Sequence, residues 1–130
     1  MPKLSNTETE LEKLLRRWFR SYEEKWEYVG NKDFYVGKYN PDFVYRHNGS
    51  KKIIELFGCR WHCCEKCGYN EQTFSRSPSS VRASDKKKLK YYKQRGWECL
   101  VIWEHDMPDI FRLRKVVEEF TFGKLTQEIK

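Results

Sequence analysis

The sequence predicts a mixed α/β fold, and three observations carry that prediction. Leu11, Leu14, Leu15, Trp18, Phe19 and Tyr22 recur at helical spacing near the start. Two strand-like runs, Asp42 to Arg46 and Lys52 to Phe57, flank the turn-forming stretch His47-Asn48-Gly49-Ser50 and so read as a hairpin. Trp97 to Trp103 is almost wholly apolar and lies between two helical patterns. With 130 residues, the chain is expected to be one domain, residues 1–130, around one core.

The elements follow in order. Thr7-Glu8-Thr9-Glu10 has the form of a capping box, in which a hydroxyl and a carboxylate satisfy free N–H groups at a helix start. The helix it opens is expected from about Glu8 to Glu24, with Lys13, Arg16, Arg17 and Arg20 on its outer face. Gly30-Asn31 marks a turn, and Asp33 to Val36 is expected to be a short strand. The Asp42 strand is entered through Asn40-Pro41, and a proline is tolerated at a strand start. Ser75 to Ser80 is a loop by composition. A second helix is expected from Ser84 to Arg95, stopped by Gly96 just past its last turn. Trp97 to Trp103 reads as a central strand buried on both faces, and Asp109 to Phe120 as a last helix.

Charged residues make up 35% of the chain, but aromatics at 16% restore buried apolar area, so a packed core is expected. The net charge of +7 makes a polyanion the default partner. No stretch reaches the roughly 20 apolar residues of a membrane-spanning helix, and no membrane partner is expected. The start, MPKLSNTETELEK, has no apolar signal core. The expected location is therefore the cytoplasm, of a bacterium or of the host cell if the chain is phage-encoded. In that reducing compartment the five cysteines stay thiols or bind metal.

Four of those cysteines fall in Phe57-Gly-Cys-Arg-Trp-His-Cys-Cys-Glu-Lys-Cys-Gly68. Cys64-Glu65-Lys66-Cys67 is a CxxC pair, whose two thiolates can take two corners of a tetrahedron around zinc. Further ligands must come from Cys59, His62, Cys63, Cys99 or His105. Cys99 lies inside the apolar strand and reads as a small buried hydrophobe. His105 lies just past that strand's end, where a side chain can leave the core. A structural zinc held by Cys59, Cys64, Cys67 and His105 fits the spacing best.

Asn40-Pro41-Asp42 opens one strand and Glu55 lies on the next. A carboxylate at a strand start, with further oxygen atoms on the neighbouring strand, is a way to hold magnesium, a hard cation that keeps several waters. Glu55 reads either as a second acidic ligand or as a charge paired with a nearby lysine.

The order of these pieces resembles a known family. Asn40-Pro41-Asp42-Phe43, then Gly58-Cys59-Arg60-Trp61-His62, then Gly96-Trp97-Glu98-Cys99-Leu100-Val101-Ile102-Trp103-Glu104 after a basic helix, is similar to the very-short-patch repair endonucleases of the PD-(D/E)xK superfamily and to their homing-endonuclease branch, EDxHD. The resemblance runs from about Thr7 to His105. It implies a restriction-endonuclease-like mixed sheet flanked by helices and a magnesium-dependent DNA endonuclease. It makes Asp42 the side-chain ligand of the catalytic magnesium, with the main-chain carbonyl at or near Leu56 as the second protein ligand. It makes His62 the general base, Glu12 the first-helix glutamate that supports it, and Asp85 the acidic residue of the helix before the long strand. The family's structural zinc ligands fall on Cys59, on Cys64 or its neighbour, on Cys67 and, in place of a cysteine, on His105. Two differences point to the homing-type branch. Phe57 stands where the repair enzymes have a further histidine, and Arg60-Trp61 stands where they have two wedging aromatics.

The expected partner is double-stranded DNA, met by a monomer or a homodimer. Arg76 and Arg82, then Lys86, Lys87, Lys88 and Lys90, form a basic run suited to backbone phosphates, while Arg60, Trp61 and Phe74 are placed to meet bases or phosphate. Asp85, Leu89 and Tyr92 share a helix face, which turns Asp85 toward the sheet. The alternative reading is a non-catalytic, zinc-stapled DNA-binding module on the same fold.

Overall fold

A four-stranded mixed sheet, covered by α1 and α3 on one face and α2 on the other, organises the chain. The computed structural model describes residues 6–20, 24–47, 49–70 and 76–123. The elements are α1 (Asn6–Trp18), β1 (Lys25–Tyr28), β2 (Phe43–Arg46), β3 (Lys52–Phe57), α2 (Pro78–Gln94), β4 (Glu98–Trp103) and α3 (Ile110–Phe122), with a short 3₁₀ turn at Glu104–Asp106. The sheet order is β1-β2-β3-β4, with β1, β2 and β3 antiparallel in turn and β4 parallel to β3.

Sheet alternation separates two apolar groups. Phe43, Tyr45 and Ile54 pack with Leu11, Leu14 and Leu15 of α1 and with Leu113 and Val117 of α3. Val44 and Ile53 face the other way and meet Tyr92, Leu89 and Cys99. A residue such as Leu11, wholly buried, contributes on the order of 2–5 kcal/mol relative to alanine.

The hairpin is found as expected, and β3 has the bounds expected for it. Four expectations need correction. Thr7 lies inside α1 rather than capping it, and α1 ends at Trp18; the positions of Tyr22 and the proposed end near Glu24 involve residues 21–23, outside the described residues. Residues 25–28 are a strand instead, because Trp26 is buried against Tyr45 and Phe120 in strict alternation with half-exposed Glu27. Asp33 to Val36 forms no strand, only a single bridge between Val36 and Tyr39.

The third correction concerns α2, which begins at Pro78. Ser77 is its N-cap, its hydroxyl accepting from the Ser80 N–H at 3.2 Å, and the fixed φ of Pro78 suits the first helical position. The composition that reads as a loop is thus a helix start. The helix stops as expected, with Gly96 at φ 82°, a conformation that favours glycine. The fourth concerns β4, which ends the sheet instead of lying at its centre. Its apolarity comes from helices on both faces, and, with no further strand beyond it among the described residues, most of its residues are only half-buried.

Candidate metal centre and active-site cleft

Both candidate sites lie where β3 and β4 end. The chain leaving β3 turns tightly through residues 58–64, with His62 N–H donating to the Gly58 carbonyl at 3.0 Å and Cys64 N–H to the Cys59 carbonyl at 2.8 Å. That turn brings Cys59 and Cys64 together and swings Cys67 toward His105, just past β4. The Nδ1 atom of His105 lies 3.2 Å from Cys59 Sγ, 3.6 Å from Cys64 Sγ and 3.4 Å from Cys67 Sγ. All four ligand atoms fall within 4.8 Å of one another. Bond lengths of ~2.3 Å for zinc–sulfur and ~2.0–2.1 Å for zinc–nitrogen place the corners of a tetrahedron about 3.5 Å apart, so the Cys₃His set can hold a zinc ion.

The surroundings suit a metal. The other ring nitrogen of His105 faces Asp106 at 3.5 Å, a partner that fixes ring orientation. Burial, helped by the neighbouring Cys67 and Cys64 sulfurs against a lowering contact from His105, pushes the Cys59 thiol up to about 12. Zinc binds thiolate rather than thiol, so metal binding at Cys59 releases its proton. Cys64, rather than its neighbour Cys63, faces the cluster, and Cys99 packs in the α2-side core. We expect about one zinc per chain. Chelating it should lower the melting midpoint by about 10 °C or more, because each ~1 kcal/mol moves a chain of this size by about 3–5 °C. Elemental analysis and a thermal scan with and without chelator check both values.

Asp42 is delivered by Asn40-Pro41. The Asn40 amide donates to the carbonyls of Val29 and Phe34, each at 2.7 Å, and pins the loop that precedes the strand. Pairing of β2 with β3 ends at Phe43 and Ile54, so beyond it the Asp42 carboxylate takes the Leu56 N–H, at 2.7 Å. In an extended strand the N–H and C=O of one residue point to the same side, so the Leu56 carbonyl also opens toward Asp42.

The cleft that holds Asp42 is also lined by Glu8, Glu55, Leu56, Arg60, Trp61, His62, Tyr69, Lys88 and Glu104. Burial first, then the charges of Glu55 and Glu8, push the Asp42 carboxyl up to about 8, against the Leu56 N–H and Lys88, which lower it. Glu55 is buried and pairs with Lys88 at 3.1 Å while accepting from the Tyr92 hydroxyl at 2.6 Å. Burial and Glu55 push that hydroxyl up, so Tyr92 remains a donor.

His62 lies flat against Phe57, ring centroids 4.0 Å apart, and its Nδ1 is 2.9 Å from Asp85 Oδ2. Phe57 thus supports the histidine ring. In the tautomer in which Nδ1 donates to the Asp85 carboxylate, Nε2 is the accepting atom.

The structure brings Asp42, Leu56, His62, Asp85, Arg60 and Trp61 to this region but not Glu12. The Glu12 carboxylate sits 3.5 Å from Arg16 and lines a separate depression with Trp26 and Tyr28. Glu8, one helical turn earlier, lines the cleft. The signal for Glu8 lay in its four-residue spacing from Glu12, on nearly the same helix face. Asp85 holds the histidine rather than Asp42's shell.

The basic run also divides. Lys86 and Lys87 are exposed, as is Arg76, whereas Lys88 turns inward to Glu55 and Arg82 is bonded to main-chain carbonyls. Trp61 is 53% exposed beneath the Arg60 guanidinium. Phe74 lies outside the described residues. Among the described residues, no helix is long and apolar enough to cross a membrane.

The raised Asp42 value fixes a pH dependence. A carboxyl with a folded value above its unfolded one stabilises the metal-free chain most at low pH, and that contribution is lost as pH rises through about 8. A divalent cation bound at Asp42 would have to displace the same proton. Its affinity should therefore rise by up to ~50-fold between pH 6 and pH 8, and Asp42→Asn should flatten that rise. Calorimetric titration of magnesium into zinc-loaded protein at several pH values measures it.

No protein-family model matches the chain, and no curated protein matches it. Among solved structures, the catalytic domain of the homing endonuclease I-Bth0305I superposes with a TM-score of 0.59 at 18% sequence identity, over 90% of this chain and 94% of that one. The chain is therefore similar in fold to a homing-endonuclease catalytic domain.

Proposed function

We propose that the chain is a magnesium-dependent DNA endonuclease, of the very-short-patch-repair and EDxHD homing type, on a PD-(D/E)xK core. One observation carries the reading. Asp42, a carboxylate that burial and like charges keep from ionising, shares a cleft with a histidine whose ring is fixed by another carboxylate. Such a pairing of a buried, charge-crowded carboxyl with an oriented base suits hydrolysis of a phosphodiester.

The donor set fits the cation. Hard oxygen atoms at Asp42 and the Leu56 carbonyl suit magnesium, and Lys88 is the ammonium that lines the cleft beside four carboxylates, Glu8, Asp42, Glu55 and Glu104. Magnesium held there supplies neutralisation of charge on phosphate oxygens and acidifies water. The chain's residues do the rest. His62 Nε2 takes the proton from the attacking water, and Asp85 holds the tautomer that leaves Nε2 free to accept. Glu8, one turn before Glu12, lines the cleft and adds negative charge beside Asp42. Trp61, with Arg60 above it, meets the DNA at the mouth of the cleft, and Arg76, Lys86 and Lys87 contact backbone phosphates. The fold similarity to a homing-endonuclease catalytic domain supports the same reading.

The test is incubation of zinc-loaded protein with supercoiled plasmid, and with matched and thymine–guanine mismatched duplexes, in magnesium or in a magnesium-free buffer. Cutting of matched DNA that requires magnesium is expected. Cutting confined to the mismatched duplex would assign the chain to repair instead. No cutting of any substrate would defeat the nuclease reading.

A further inference from the structure

We infer that Arg82 is a positioning residue for the general base rather than a contact to DNA. The inference rests on the nuclease reading of His62, but its geometry stands apart from it. Arg82 Nε donates to the Cys63 carbonyl at 2.9 Å. Its terminal nitrogen donates to Asn70 Oδ1 at 2.8 Å and to the Tyr69 carbonyl at 3.3 Å. The guanidinium thus bridges the two ends of the loop that carries Cys64 and Cys67. These bonds engage three of the five N–H donors of its guanidinium, and the side chain is only 28% exposed.

Cys63 is the residue after His62 and the one before Cys64, and it is buried. Its φ of 49° lies in the left-handed region, which is strained for a non-glycine residue and persists only where neighbours hold it. Arg82 holds its carbonyl. Three residues on, one turn along the same face of α2, Asp85 holds the His62 ring. A single helix face therefore fixes both the ring of the base and the backbone beside it, while the cysteine cluster fixes the turn from the other side. A planar fork can serve carbonyl and amide oxygens at once, which a lysine ammonium on a flexible stem cannot reproduce.

The test compares wild type, Arg82→Ala and Arg82→Lys, all zinc-loaded, in single-turnover cleavage and in DNA binding across salt. Arg82→Ala should lower the saturating cleavage rate about 10–100-fold, the usual loss when an outer support of a site is removed. Its DNA affinity and salt dependence should match wild type. Arg82→Lys should recover part of the rate through the Cys63 bond alone. An activity-independent readout accompanies this. In protein with ¹⁵N-labelled histidine, the His62 Nδ1–H proton should be protected from water in wild type and lost in Arg82→Ala, with zinc content unchanged.

If affinity falls, the salt slope drops by about one and Arg82→Lys behaves as wild type, Arg82 is a phosphate contact and the inference is wrong. Wild-type rate with an intact His62 signal in Arg82→Ala overturns it equally. Should Arg82→Ala fail to fold, Arg82→Lys decides in its place: a reduced rate at unchanged salt slope supports the role, and a wild-type rate removes it. If wild type itself never cuts, the nuclease reading fails while the His62 signal still decides whether Arg82 holds the turn.

Discussion

Asp42→Asn is expected to abolish metal-dependent cleavage while leaving zinc bound and DNA affinity nearly unchanged. The amide keeps the size of the carboxylate, and its oxygen can still accept the Leu56 N–H that Asp42 accepts at 2.7 Å. What it loses is the charge that draws a divalent cation into the cleft. The loss should be large because Glu55, the other carboxylate deep in the cleft, is already bound by Lys88 and Tyr92. The zinc ligands are Cys59, Cys64, Cys67 and His105, none of which contacts Asp42 in the hydrogen bonds described, so a folded, zinc-replete variant isolates the effect. The same substitution removes a buried carboxyl held near 8, so the metal-free variant should also be less sensitive to rising pH. Parallel cleavage and magnesium titrations check it, and wild-type rates in the variant would place the active site elsewhere.

His62→Ala should slow cleavage by about 10²–10⁴-fold, the usual contribution of a general base, with DNA still bound. Asp85→Asn gives the sharper comparison. An asparagine amide can donate to Nδ1 and favour the wrong tautomer, so its loss should approach that of His62→Ala. The two losses should not add in the double variant, because both remove one function. Single-turnover rates across pH measure all three. Additive losses would mean that the 2.9 Å contact between His62 and Asp85 is structural only.

Several parts of this site were legible in the sequence because spacing determines them. CxxC with a cysteine five residues before it and a histidine past an apolar strand left few ways to complete a tetrahedron, and the same four residues converge in space. The Lys52–Phe57 strand was readable from its β-branched and apolar run, and Asp85 from the face it shares with Leu89 and Tyr92. The remainder depends on tertiary choices that periodicity does not encode. Ser77-Pro78 serves loops and helix starts alike, and only the Ser80 N–H bond decides. The Lys25–Tyr28 strand is short and follows a helix whose apolar stripe continues in the one-dimensional pattern. Glu8 and Glu12 are spaced to share a helix face, and where α1 crosses the sheet edge settles which one reaches Asp42. Lys88 and Arg82 belong to a run of positive charge that reads as one surface. Buried Glu55 captures the first, and the carbonyls of Cys63 and Tyr69 capture the second.

The central claim is that the Asp42 and His62 cleft hydrolyses DNA. Single-turnover cleavage of an end-labelled duplex by zinc-loaded wild-type protein, titrated with magnesium, tests it most directly. No cutting is expected without magnesium, and with it a rate that rises to saturation, at pH near 8 where Asp42 gives up its proton. Protein that is folded, zinc-replete and bound to the duplex, yet leaves it intact at every magnesium concentration, would contradict the account and make the chain a DNA-binding module on a nuclease fold.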